Sequence, residues 1–573
     1  MNTEILQREL IEVPEEREQV YARPRLRKAL SILRTGAIAL VAGLLGSLAA
    51  ILMMGVLRLT VGTPTLPELL GDRILPLLSA KEFVALLVRF APDSKTTPLA
   101  LTLLGQFVLG ILLGPLYHIA AGGASGSKGF WPGGRAWLAA GVFVLAMEAL
   151  GLMIFWPVMA QNLMGDPVDR ARLLTALSML ATFAGAVGVL LFADHWLQRS
   201  WGVCPELPTW RLPQLGGVAA PQGVSSAAAS AAIETVPGIS RRTALQAAGV
   251  VVVAIAAGGI GVNRLLASYL ARSNLSYEGQ ETSSLAPITP TEDFYIVSKN
   301  VLDPEVVVGR WELEVTGLVS QPKTWNYDQV RALPSEKRIV TFECIANGVG
   351  SHLISTAEWK GVLLKTVLDE AGGVDPTGKY IVFSSVDGYQ YSLPLAALLE
   401  ARALLAWEMN GAPLENRHGF PLRAVVPGRY GEQSPKWLTR IEVVDHPYTG
   451  GLYQSQGWAS TQVATTSRIN QPSGSAPLGP VQVAGFAFAG IRGIQKVELS
   501  ADDGMTWHTA TLMPPLSDQS WVFWTWLWTP PARGTYQLVV RATDGTGTLQ
   551  TGARRGTVPS GATGWQHVTI HIV

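Results

Sequence analysis

Over the first 265 positions, apolar residues come in long runs with little alternation. A bilayer core takes about 20 apolar residues in a helix. Five runs meet that length: 36–57 (GAIALVAGLLGSLAAILMMGVL), 98–121, 137–160, 173–195 and 243–263. Residues 80–92 mix charges into an apolar stretch and read as an amphipathic interfacial helix. Further on, the pattern shortens. KRIVTFEC alternates toward a buried strand, and Cys344 stands where that strand gives way to ANGVGSH. TAEWKGVLLKTVLDEAG reads as helical, IVFSSVDGYQYSLP as a hairpin-like pair, and LAALLEARALLAWEM as a helix running into a turn. From about 468 the texture changes to GPVQVAGFAFAG, WVFWTWLWTPP and GTYQLVVRATDG, short strands broken by Asp-Gly and Pro-Pro turns, which predict a β-sandwich.

Charge adds a direction. Charged residues make up 15% of the chain, against about 25% in soluble proteins, and the deficit lies before residue 270. A formal net charge of +1 gives no general argument for a nucleic-acid partner. Seven basic side chains among the first 35 residues, including Arg23, Arg25, Arg27, Lys28 and Arg34, predict a cytoplasmic N-terminus. Five spans then put everything after residue 264 outside the membrane of a prokaryotic cell. The expected organisation is a cytoplasmic segment 1–35, a four-helix membrane domain 36–195 and a Pro/Ala/Ser-rich linker 196–242. A fifth helix at 243–263, a globular domain 285–460 and the sandwich 468–573 follow. Before the fifth helix stands Ser240-Arg241-Arg242-Thr243-Ala244-Leu245-Gln246. It is either ordinary positive-inside flanking or, as it resembles, an internal twin-arginine export signal lacking the usual phenylalanine and lysine.

Three polar residues fall within or at the ends of these spans. Glu148 is a functional carboxylate candidate, or else a protonated glutamate bonded to Gln106 or a hydroxyl of the fourth helix. His118 and His195 are boundary histidines, either structural or a haem pair. The chain has two cysteines, and the predicted topology separates Cys204 inside from Cys344 outside. Cys344 is thus an unpaired thiol in an oxidising compartment, either buried core or a reactive ligand. Two cysteines exclude a disulfide scaffold and thiolate zinc sites, and no Walker-type loop or haem or flavin motif is present.

Downstream lies HGFPLRAVVPGRYGEQSPKWL, which sets His418, Arg423 and Lys436 around an apolar run and a glycine-rich turn. Cationic side chains beside glycine backbone suit a phosphate-bearing ligand. A solvated positive face is the alternative.

From these residues, 285–573 resembles the molybdopterin-dependent oxidoreductases of the sulfite oxidase fold, with a mixed α+β cofactor domain followed by an immunoglobulin-like β-sandwich. The resemblance rests on Cys344 with Asn347, WEMNG at 407–411, HGFPLR at 418–423, VVPG and KWL, in that order. It implies that Cys344 is the protein thiolate on molybdenum and that Asn347 belongs to the same cofactor site. His418, Arg423 and Lys436 would hold the pterin and its phosphate. Tyr295, in TEDFYIVSKN, and Ser385, in SSVDGY, are implied cofactor contacts, and the sandwich is implied to mediate a homodimer. A thiolate suits a soft, redox-active metal. His508, His567 and His571 in the sandwich read as structural.

The sequence also departs from that family. Gly348 and Val349 stand where sulfite oxidases carry two arginines, Lys299 where an arginine is expected, and Trp458 where they have a tyrosine. Arg429 is a partial replacement for the missing guanidiniums. Arg recognises oxyanions bidentately, as Gly and Lys cannot, so a sulfoxide-type substrate competes with a small oxyanion such as sulfite. Catalytic candidates are Cys344, Trp458, Arg429 and Lys299. The expectation is a membrane-anchored enzyme of oxygen-atom transfer that exchanges electrons with a soluble carrier or membrane quinone. The alternatives are sulfite oxidation proper, a metal-free binding or scaffold protein, and a membrane electron-transfer protein with an accessory outer domain.

Overall fold

A computed structural model describes residues 15–79, 82, 96–122, 131–161, 164–201, 286–300, 303–458 and 461–573. The fifth apolar run, the SRRTALQ motif, Cys204, the linker beyond 201 and nearly all of 80–92 lie outside these residues. The helices of the N-terminal part are α1 (Glu15–Thr60), α2 (Leu66–Ile74), α3 (Thr96–Ala120), α4 (Gly134–Phe155) and α5 (Val168–Trp201). Among the described residues, four stretches are long and apolar enough to cross a membrane: Ile32–Thr60, Leu101–Ala120, Gly134–Phe155 and Val168–Arg199. The short helix α2 was not apparent from the pattern. A capping box starts it: the Thr65 side chain accepts from the Glu68 amide while Glu68 reaches back to the Thr65 amide.

The chain divides into two compact units, Met1–Leu52 with Phe107–Phe143 and Gly185–Ala271, and Met53–Gln106 with Val144–Ala184 and Arg272–Val573. In the first, His118 Nδ1 lies 3.0 Å from Asp194 Oδ2, Gln198 donates to the Thr35 carbonyl, and the Tyr117 hydroxyl donates to Ala136 O. His118 is therefore ion-paired with, or hydrogen-bonded to, a carboxylate.

In the second unit, two sheets form the globular domain. One has the strand order Lys323–Asn326, Glu312–Gly317, Leu438–Val444, Tyr380–Ser385, Gln390–Pro394, mostly antiparallel with one parallel pair. The other runs Ser335–Glu343, Ile354–Leu363, Leu404–Met409, Ala412–Pro413, with Arg423–Val425 also paired to Leu404–Met409. The predicted strand before Cys344 and the hairpin at 380–394 are both present.

Two helical expectations fail. Residues 354–363 form a strand paired on both sides, and the helix begins only at Leu364. In LAALLEARALLAWEM the helix stops at Glu400, Arg402 takes a left-handed φ of 52°, and Leu404–Met409 is a buried strand. Apolar runs of this length do not distinguish a buried helix from a buried strand, and cross-strand pairing decides the outcome.

The C-terminal region is a two-sheet β-sandwich. Thr466–Gln471, Val481–Phe488, Val522–Trp528 and Thr511–Leu512 face Ser475–Ala476, Gln566–Ile572, Gly534–Asp544, Ile494–Ser500 and His508–Thr509. Its core is built from alternate inward residues, among them Val483, Trp524, Leu538, Val540 and Ile570, all fully buried.

Candidate active site

Cys344 is the first residue after the strand Ser335–Glu343, and it is held from both sides. Its amide donates to Leu353 O at 2.9 Å, and its carbonyl accepts from the Asn347 amide at 2.8 Å. The Asn347 side chain closes the turn, accepting from the Leu353 amide and donating to Glu343 Oε1, each at 2.9 Å. Packing of the apolar strand explains why the thiol is 6% exposed. Burial pushes it up to about 12, and the carboxyls of Glu432 and Glu343 add to that shift. Without a cation on the sulfur, it stays a thiol.

Two buried carboxyls flank this turn. Burial raises Glu343 to about 7 and Glu432 to about 8, and one oxygen of each has no hydrogen-bond partner among the described residues. Neither was singled out from the sequence. The signal for Glu343 was a charge inside the alternating run VTFEC, while Glu432 lies in a turn and carries no pattern.

A group of cations lies beside them. The Arg423 guanidinium sits over Phe342 and Trp359, 4.8 and 4.9 Å from the ring centres, and donates to His418 O and Ser434 O at 2.9 and 3.3 Å. Lys436 Nζ donates to Arg417 O at 3.0 Å and lies 4.3 Å from the Trp437 ring centre. His418 Nε2 donates to Thr291 O at 3.1 Å, which leaves Nδ1 as an acceptor. Gly419 makes this clustering possible: at φ 111° a Cβ there would come within 3.1 Å of both Lys436 Cβ and Arg423 Cβ. Burial lowers all three groups, and neighbouring positive charges add to it for His418 and Lys436. His418 falls to about 3 and is neutral, Lys436 falls to about 8, and Arg423 to about 10 by burial alone. Trp437 itself holds a left-handed φ of 53°, backbone strain of the kind that concentrates at ligand sites.

The segment leading to Tyr295 is tied to this group by Asn410 of WEMNG. Asn410 heads a tight turn with φ 51° and donates to Thr289 O and Thr291 Oγ1 at 3.0 and 3.1 Å. Phe294 stacks on Tyr295 and meets His418 edge-on. Burial holds the Tyr295 phenol well above its usual range.

Residues 300–452 match the model of the oxidoreductase molybdopterin binding domain, and 460–572 that of the Mo-co oxidoreductase dimerisation domain. Residues 300–572 are thus similar in sequence to molybdopterin-dependent oxidoreductases of the sulfite oxidase type. Mitochondrial sulfite oxidase from Drosophila melanogaster is 31% identical over 290 residues, covering 41% of this chain and 50% of that protein. Sulfite oxidase from Gallus gallus is 29% identical over 316 residues, covering 46% and 68%. The chain thus spans about half the length of the fly relative. The crystal structure of sulfane dehydrogenase SoxCD from Paracoccus pantotrophus covers 52% of this chain and 86% of its own at 23% identity and a TM-score of 0.47.

The residues gathered here suit such a cofactor. A buried thiol is available to a soft metal. The clustered cations destabilise one another in a way that an anion relieves, and Ser385 Oγ is buried with no hydrogen-bond partner among the described residues.

The remaining expected site residues sit as follows. Trp458 is buried in an apolar cluster with Ile345 and Tyr430, and its ring centre is 4.6 Å from that of Tyr453. Arg429 Nη1 lies 3.5 Å from Gln433 Oε1. Lys299 is engaged elsewhere: Nζ is 3.1 Å from Asp72 and 3.9 Å from Asp387. Glu148 Oε2 is buried without a hydrogen-bond partner among the described residues, and the Gln106 amide lies nearest Met54 Sδ at 3.8 Å.

Proposed function

We propose that the chain is an extracytoplasmic molybdenum enzyme, anchored by its N-terminal helices, that transfers an oxygen atom to or from a small sulfoxide-type substrate. The observation that carries this is the buried thiol of Cys344 beside buried Arg423 and half-buried Lys436. When bound, the cofactor supplies the two-electron exchange of oxygen; the protein supplies position and electrostatics. Cys344 is the proposed metal ligand, with Asn347 fixing its turn. Arg423 and Lys436 hold the pterin and its phosphate, and the unprotonated Nδ1 of His418 accepts from it. Tyr295 and Ser385 complete that cradle. Trp458 and Arg429 are proposed to line the substrate side. Lys299, expected there as well, is better assigned to its ion pair.

A sulfoxide is preferred because the positions after Asn347 are Gly348 and Val349, which offer no guanidinium to an oxyanion. This arrangement does not favour an oxyanion. Sulfite oxidation is the second reading, favoured by the names of the relatives. Exposed Leu104, Leu138, Leu145 and Met153 on the apolar helices support membrane anchoring. The five-span topology, the twin-arginine route and electron exchange with quinone or a soluble carrier belong to the same proposal. The dimerisation domain supports a homodimer.

Metal and pterin analysis of the purified full chain, joined to a dye-linked screen of sulfoxides, N-oxides, nitrate and sulfite, tests this reading. Turnover of a sulfoxide with molybdenum present supports it. Turnover of sulfite alone replaces it with the second reading, and absence of molybdenum removes both.

A further inference from the structure

Asp72 lies on α2, in the connection between the first two apolar helices, and Gln161 lies between α4 and α5. Both belong to the same compact unit as the cofactor domain. Asp72 Oδ1 accepts from Lys299 Nζ at 3.1 Å, with side-chain exposures of 17% and 7%. Lys299 is shared with Asp387 at 3.9 Å. With its amide oriented to donate, Gln161 bridges Asp72 Oδ2 at 2.5 Å and Asp387 O at 3.0 Å. Gly388 permits this approach: at φ 72° a Cβ there would lie 2.5 Å from Gln161 Cγ.

Asp387 is itself the hub of the tight turn 385–389. Its Oδ2 accepts from Asn300 Nδ2 at 2.8 Å and its Oδ1 from the Tyr389 amide at 3.1 Å. The Gly388 amide donates to Ser385 O at 3.0 Å, and the Val386 amide donates to Trp437 O at 2.9 Å. A continuous set of bonds therefore runs from Asp72 through Lys299 and Asp387 to the residue beside Lys436. The same connection has a second hold. Leu75 packs on the cluster containing Trp458 and Ile345, and its carbonyl accepts from Gln456 Nε2 at 2.9 Å.

We propose that Asp72 and Gln161 are positioning residues for the molybdopterin cradle, fixing the 385–389 turn and, through it, Lys436. This rests on the molybdenum reading above. Its consequence is that the helical part of the chain is a working component of cofactor retention as well as an anchor. Lys299 is then committed to a buried ion pair and unavailable to an anionic substrate.

The test uses full-length holoenzyme and three variants, Asp72→Asn, Asp72→Glu and the double variant Asp72→Asn with Lys299→Met. Three quantities are read: molybdenum per chain during prolonged dialysis, the molybdenum EPR signal, and the thermal midpoint. Outer partners of a metal site typically contribute about tenfold or more in affinity. Asp72→Asn should accordingly lose molybdenum about tenfold faster than wild type and shift the EPR signal, with Asp72→Glu rescuing most of both. The double variant also takes the cation from buried Asp387, so its retention and its thermal midpoint should both stay at or below those of Asp72→Asn. If the double variant recovers both, or Asp72→Asn retains metal at the wild-type rate, the pair is purely structural and the inference fails. Should the double variant not fold, Gln161→Ala carries the same test: faster loss supports the inference and unchanged loss overturns it. A wild-type chain without molybdenum refutes the underlying reading instead.

Discussion

Asn347 Nδ2 donates to Glu343 Oε1 across 2.9 Å, strapping the turn on which Cys344 sits. Burial raises Glu343 to about 7, and this bond pulls against that shift. Asn347→Ala removes the bonds to Glu343 and to the Leu353 amide and leaves buried polar groups unmet. The expected cost is about 1–3 kcal/mol for each stranded group. It is measurable as a lower thermal midpoint with reduced molybdenum content, and an unchanged midpoint would contradict the strap.

Arg423 lies against the stacked pair of Phe342 and Trp359 while donating to two carbonyls. Lysine keeps the charge but loses the planar fork. Arg423→Lys should lower cofactor occupancy roughly tenfold, equivalent to about 1.4 kcal/mol. Molybdenum per chain after gel filtration measures this. Full occupancy in the variant would show that charge alone suffices.

Lys436 titrates near 8 before any anion is bound, chiefly because it is buried. A phosphate beside it favours the charged form, so binding above that pH requires proton uptake. Cofactor loading of cofactor-free chains should therefore be insensitive to pH below about 8 and weaken as pH rises through it. Lys436→Arg should move the fall to higher pH, and an identical profile in that variant would place the titration on another group.

The substrate preference can be reversed if its cause is correct. A Cβ on Gly348 would meet nothing nearer than Ser351 Cβ at 3.8 Å, so a side chain is tolerated there. A charge-assisted pair contributes about 1.5–3 kcal/mol. Gly348→Arg should thus lower the KM for sulfite by about tenfold to a hundredfold while slowing or sparing sulfoxide turnover. No change in the sulfite KM would remove the missing guanidiniums as the reason for discrimination.

What could be read from the sequence depended on how far apart the interacting residues lie. The strand before Cys344, the 380–394 hairpin and the sandwich strands were legible because alternation and turn residues are local signals. The strands at 354–363 and 404–409 are not legible in the sequence, because their apolar runs fit either state until pairing is known. In the site, His418, Arg423 and Lys436 stand close together in one motif. Lys299 and Asp72 are 227 residues apart, and no local pattern announces their ion pair. Glu432 is equally hidden, since an acidic residue in a glycine-rich turn ordinarily implies an exposed carboxyl, and here one carboxyl oxygen is buried.

The central claim is that Cys344 is the protein's sulfur ligand to molybdenum. X-ray absorption at the molybdenum edge, on wild type and Cys344→Ser, tests it most directly. The prediction is a coordination shell with one sulfur fewer in the variant, together with lost or strongly reduced oxygen-atom transfer. An unchanged sulfur count in the variant, or a wild-type protein that binds no molybdenum, would contradict it.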